Sequence, residues 1–149
     1  MRLAALKLMV FIGLLSCKSN SENKETYYIP QEKIALQQDQ TSESYKRGKT
    51  VYDDFCVTCH LPSGKGIPGN FPPLDGSDWL TNKRAETIHA IKYGLQGPIT
   101  VNGEKYNNVM VSMGLTDQEV ADVMNYINNS WSNAIKKPVT VEEVQAVKK

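Results

Sequence analysis

Cys56-Val57-Thr58-Cys59-His60 is the stretch on which the reading of this chain turns. The spacing C-x-x-C-H is that of a c-type haem attachment site. Two thiols three positions apart on one helical turn can each bond a vinyl-derived carbon of one porphyrin, and the histidine directly after them then faces the iron. Two other readings compete. A structural zinc site takes four Cys or His ligands, yet the only other cysteine is Cys17 and the only other histidine is His89. A thioredoxin-like dithiol sits near a βαβ pattern, and no strand pattern precedes Cys56. Haem attachment is the expectation.

The chain has 149 residues and a formal net charge of +1, with acids and bases interspersed. That length suits one small domain with extensions at its ends. No basic block points to nucleic acid and no acidic tail to a charged partner. No internal repeat is present. A core of this size gains much from a large apolar cofactor at its centre.

Residues 1–16 read as an export signal. Arg2 and Lys7 form a positive start, and Leu8 to Leu15 form an apolar core too short to span a bilayer. Leu14-Leu15-Ser16-Cys17 resembles the lipobox of bacterial lipoproteins, which implies cleavage before Cys17 and acylation of its thiol. Two or more acyl chains give stable anchoring where one does not. The odd third cysteine of an exported chain is thereby explained, the alternative being a free thiol after ordinary cleavage. Residues 17–43, rich in Ser, Asn, Gln, Glu and Lys, read as a flexible tether with a reach of roughly 30 Å, holding at most a short helix near Gln31 to Gln38.

The ordered domain is expected over 44–131. Tyr45, Gly48, Tyr52 and Phe55 recur at helical spacing over Ser44 to Thr58, and Gly48 inside a helix calls for the close approach of another. Gly64, Gly66, Pro68, Gly69, Pro72 and Pro73 then impose a long loop. A helix fits Asn82 to Tyr93, with Gly94 as its stop. Ile99 to Tyr106 reads as a β-hairpin about Asn102-Gly103, which aims the segment Asn107 to Gly114. Thr116 and Glu119 form a capping box for the last strong helix, whose apolar face is Val120, Val123, Met124 and Ile127, closed near Trp131. A second box, Thr140 with Glu143, opens a short helix in the tail 132–149.

From Ser44 to Trp131 this order of parts resembles the class I (mitochondrial-type) cytochromes c in their bacterial form. Gly48 and Tyr52 match the small-and-aromatic pair of that family's first helix, and Val123 and Tyr126 the aliphatic-and-aromatic pair of its last. Pro72-Pro73-Leu74 matches a P-x-L stretch, and Asn129-Ser130-Trp131 resembles a common ending. The resemblance implies an all-α cytochrome c fold, three main helices around one covalently bound haem, with a small hairpin before the Met-ligand loop.

It also implies the site. Cys56 and Cys59 attach the haem, His60 is the proximal ligand through Nε2, and its other ring nitrogen donates to the Pro72 carbonyl. A sixth ligand comes from the loop before the last helix. Met110 lies five residues before Leu115, as the ligand of bacterial relatives does, and is preferred to Met113. Val111 departs from the pattern, since relatives often carry proline there. Met124 is expected to be packing, and His89, a rival for a bis-His centre, to be an ordinary helical histidine. Trp79, Tyr93 and Tyr106 are left between the haem pocket, a propionate contact and plain core.

An iron with both axial positions filled by protein offers no place for substrate, and no nucleophile or carboxylate pair is apparent elsewhere. The expected function is electron transfer, with no enzyme activity of its own. The chain would be a lipid-anchored shuttle on the extracytoplasmic or periplasmic face, between a dehydrogenase or reductase donor and an oxidase or reductase acceptor. A fixed haem c subunit of a dehydrogenase or oxidase complex is the alternative, and a peroxidase-like or gas-binding protein a third reading.

Overall fold

The computed structural model describes residues 31–149, with side chains from Ser42 onward. The signal, Cys17 and the tether as far as Pro30 lie outside the described residues. Four main pieces carry the fold: a long helix α1 (Gln31–Phe55), a middle helix α4 (Arg84–Tyr93), a two-stranded hairpin, and the helix α5 (Asp117–Asn128).

Helix α1 begins well before Ser44, where the spacing of apolar residues placed it. From Gln31 to Arg47 there is neither Gly nor Pro, and Gln, Glu, Lys and Ala are good helix formers. A stretch with no apolar stripe looks like a linker by composition, yet a solvated helix has the same composition. Its second half packs across α5. Tyr126 is the hub of this crossing, with the rings of Tyr45, Tyr52 and Trp131 centred 5.0, 5.2 and 5.9 Å from its own. Tilted and edge-on pairs of this kind add to plain area burial. Gly48 sits at the closest point. A Cβ there would lie 1.9 Å from the Asp122 carbonyl oxygen and 2.9 Å from the Tyr126 Cβ.

Helix α5 starts at the capping box read from the sequence. The Glu119 amide donates to the Thr116 hydroxyl, and the Thr116 amide donates to the Glu119 carboxylate at 2.8 Å. Val120, Val123, Met124 and Ile127 are buried. Asp122 is buried among them, and its carboxylate is fully used. It accepts from the Ser44 hydroxyl at 2.6 Å, from Arg47 Nε and Nη2 at 2.7 and 2.9 Å, and from Gln118 at 3.0 Å. A buried charge is tolerated when it is paired and hydrogen-bonded in this way.

Between these helices lie α2 (Val57–His60), α3 (Asp78–Asn82) and the strands β1 (Ile99–Val101) and β2 (Glu104–Tyr106), with α6 (Val141–Ala146) near the end. The hairpin pairs Ile99 with Tyr106 and Val101 with Glu104. Asn102 takes the left-handed conformation that an Asn-Gly turn uses, at φ 51°. It also grips α3, since the Asp78 and Asn102 side chains each accept from the other's amide, at 2.8 and 2.9 Å.

The tail closes over α4 and α5. Val139 and Val144 are buried in the core, and the Val139 amide and carbonyl pair with the Asn125 side chain. Arg84 is the clasp. Its Nε and Nη2 donate to the Glu143 carboxylate at 2.6 and 2.8 Å, and it also donates to the carbonyls of Lys137 and Pro138. Removing this clasp in Arg84→Ala should cost about 1.5–3 kcal/mol, the range for hydrogen bonds to charged groups, as read by denaturant unfolding at neutral pH. The bond to Arg84 holds the Glu143 carboxyl below the usual carboxylate range. That contribution is therefore complete above the unfolded-state value and is lost as pH falls through the lower native one. Arg84→Ala should accordingly lose less stability than the parent on acidification through that window.

Candidate haem site

The last turn of α1 runs almost without a break into α2. The Cys56 amide still bonds the Tyr52 carbonyl at 2.9 Å, and the His60 amide bonds the Cys56 carbonyl at 3.0 Å. Cys56 and Cys59 are free thiols on this turn. Burial, and the neighbouring Cys59 thiol, push the Cys56 thiol up to about 11. Among the described residues no three His, Cys, Asp or Glu side chains come together as a metal site.

Directly after His60 the chain turns sharply. Leu61 has φ 64° and ψ 159°, a region that is essentially reserved for glycine and costs about 1–3 kcal/mol elsewhere. Contacts hold it there: the Tyr52 hydroxyl donates to the Leu61 carbonyl at 2.7 Å. The turn sends the loop round the edge of a cavity, so that Pro72 returns beneath the imidazole. His60 Nδ1 donates to the Pro72 carbonyl at 3.0 Å. Burial lowers the His60 pKa, against the opposing pull of that bond. The ring is thus neutral with its proton on Nδ1, which leaves the lone pair on Nε2. Such a bond fixes both tautomer and ring orientation.

The opposite wall is set by main-chain bonds. Met110 and Leu95 form an isolated antiparallel bridge, with N···O distances of 2.8 and 2.7 Å. Gly94 ends α4 at φ 87°, and a Cβ there would stand 2.7 Å from the Met110 carbonyl oxygen. No side chain fits between the end of α4 and the Met110 strand. Asn108 hooks the same strand to the loop by donating to the Asn70 carbonyl at 3.0 Å.

Two adjoining cavities lie between these walls. Cys56, His60, Pro72, Ile91, Leu95, Ile99 and Met110 line both. Apolar walls with a few placed polar groups are usual for a small-molecule site. The donor set is a neutral imidazole, two thiols on one turn and a thioether, in an otherwise apolar slot. These residues fit a covalently held haem.

The comparisons with known proteins agree. Residues 45–131 match the family model described as cytochrome c. The chain belongs to the cytochrome c family. It is 45% identical over 110 residues to cytochrome c-552 of Thermus thermophilus, covering 68% of this chain and 83% of that one. It is 34% identical over 109 residues to the gluconate 2-dehydrogenase cytochrome c subunit of Pantoea cypripedii, covering 68% of this chain and 24% of the subunit. A cbb3-type cytochrome c oxidase subunit, FixP of Bradyrhizobium diazoefficiens, is 31% identical over 88 residues, 56% of this chain and 29% of its own. The family binds haem c covalently, and the function of this cytochrome c is electron transfer, as a carrier and not an enzyme in itself. No helix among the described residues is long and apolar enough to cross a membrane.

Other residues singled out by sequence fall as follows. Met113 lines only the larger cavity and is 38% exposed. Met124 is buried and lines neither. His89 also lines neither; its ring packs 5.1 Å from Tyr93. Trp79 lines the smaller cavity, with Lys83 Nζ 4.6 Å over its ring, and Tyr106 lines the larger. Tyr93 belongs to neither, its hydroxyl donating to the Val147 carbonyl. The sequence reading missed Asp122, Arg84 and Leu61. A lone acid on an apolar helix face with Gln118 four residues before it was the one available hint.

Proposed function

We propose that Cys56 and Cys59 attach the haem and that His60 Nε2 and Met110 are its axial ligands, making the chain a one-electron carrier tethered to a membrane through Cys17. The observation that carries the ligand assignment is that Met110 lines both cavities together with His60, pinned there by its bridge to Leu95. Haem, when bound, supplies reversible one-electron chemistry at its iron, and a His/Met pair raises the potential at which this happens. The chain's own share is positional. The Pro72 carbonyl holds the imidazole's tautomer, the Leu95 bridge holds the thioether, and the apolar walls exclude water. With both axial positions taken by protein, the reduced protein should not bind carbon monoxide at neutral pH; rapid uptake there would overturn this reading.

The working partners are a dehydrogenase or reductase as donor and an oxidase or reductase as acceptor, on the extracytoplasmic side. Coverage of 83% of cytochrome c-552 of Thermus thermophilus, against 24% of a dehydrogenase subunit, supports a mobile carrier. The other reading, a fixed subunit, would show as a stoichiometric enzyme partner after mild detergent extraction. The anchor has its own test. Cys17→Ser should move the protein from the membrane to the soluble fraction with an unchanged haem spectrum, and a mutant that stays on the membrane rules out acylation at this residue.

A further inference from the structure

The tail 132–149 lies beyond the residues that match the cytochrome c family, and it is linked to the Met110 strand through the last turn of α4. Lys92, in the last turn of α4, has a side chain only 15% exposed. Its Nζ donates to the Val144 carbonyl of the tail at 3.1 Å and pairs with the Asp117 carboxylate of α5 at 2.8 Å. Its own carbonyl accepts from the Ser112 hydroxyl, two residues past Met110, at 2.9 Å. The next residue repeats the link, since the Tyr93 hydroxyl donates to the Val147 carbonyl at 3.2 Å. The two after it, Gly94 and Leu95, touch the Met110 backbone directly. Lys149 lines an open surface pocket together with Tyr93, Met110 and Ser112.

We propose that the tail is a positioning element for Met110, acting through Lys92 and Tyr93. This rests on the assignment of Met110 as axial ligand. Val111 gives the strand none of the stiffness a proline would supply, so the rigidity of the ligand must come from what the strand lies on. It lies on the end of α4, and the tail fixes that end. Segments of one domain open locally with their own free energies, and the tail raises the one for the Met110 strand.

The test is imidazole binding to the oxidised, haem-loaded, full-length protein, followed by loss of the charge-transfer band of a thioether-ligated iron. Imidazole can take the sixth position only when the strand swings away, so its affinity reports local opening. Lys92→Met keeps the aliphatic stem and removes the ammonium; imidazole affinity should rise at least tenfold, and Lys92→Arg should restore most of it. Asp117→Asn, which leaves the Nζ bond to Val144 in place, should give a smaller rise. Arg84→Ala frees the tail at the far end of α4, and should lower overall stability while changing imidazole affinity less than threefold. Where Lys92→Met does not fold, Tyr93→Phe serves instead, with a several-fold rise expected. An unchanged affinity in Lys92→Met or Tyr93→Phe overturns the proposal, as does a rise in Arg84→Ala equal to that in Lys92→Met. Met110→Ala in the same assay separates the two readings. If it leaves the band and the affinity unaltered, the ligand assignment fails; if it removes the band while Lys92→Met has no effect, only the role of the tail fails.

Discussion

Met110→Ala should lower the reduction potential by on the order of a hundred millivolts or more, within the roughly 0.8 V over which axial ligands set haem potentials. It should also let the reduced protein bind carbon monoxide. A thioether is a soft ligand that favours the reduced iron, and an alanine side chain replaces it with nothing. The backbone is expected to stay in place, because the bridge to Leu95 uses main-chain atoms only. The effect should therefore be confined to the iron, with little change in helix content. Met113→Ala should do neither, since Met113 is exposed and lines only the larger cavity. Potentiometric titration of both variants decides the matter: a drop in Met113→Ala with none in Met110→Ala would exchange the two roles.

Gly48→Val should abolish accumulation of the folded protein, and Gly48→Ala should destabilise it by about 2 kcal/mol or more. Two effects oppose each other in the alanine variant. Helix propensity favours alanine over glycine by about 1 kcal/mol. Against it stands the Asp122 carbonyl oxygen, 1.9 Å from the new Cβ. That oxygen is backbone in the middle of α5 and cannot rotate aside. Overpacking of a well-filled contact costs about 1–3 kcal/mol, occasionally more, and moving α5 would also disturb the Ser44 and Arg47 bonds to Asp122. Repulsion wins. Thr50→Ala, exposed two residues along the same helix, is the control and should be neutral to stabilising. Thermal unfolding of the haem-loaded variants measures both, and a more stable Gly48→Ala would mean that the helices do not cross at Gly48.

What sequence made legible were features with local signatures. Gly48 stood out because a glycine in mid-helix needs a reason. Thr116 with Glu119 announced a helix start, and Asn102-Gly103 a turn, and both stand where they were expected. The features that escaped are pairings of distant residues with unremarkable types. Arg84 and Glu143 are two ordinary surface residues until the tail folds back and brings them 2.6 Å apart. Asp122 escaped because its partners Ser44 and Arg47 belong to the other main helix. The bridge between Leu95 and Met110 is made of backbone, which no residue type reports. The start of α1 escaped for another reason: a solvated helix and a linker draw on the same residues.

That early start changes the mechanics of the segment that leads into the domain. The part of α1 from Gln31 to Glu43 is a rod of roughly 20 Å at a rise of 1.5 Å per residue. A random coil of that many residues has a similar root-mean-square length of roughly 20 Å, so the mean distance spanned hardly changes. Its spread does. A coil samples everything from contact to full extension and transmits no torque, whereas the rod is continuous with the helix that carries Cys56 at its foot. Tilting the rod tilts the haem slot with it. From Gln31 onward, therefore, the direction of the chain and the direction in which the slot faces are set together, where a coil would leave them independent.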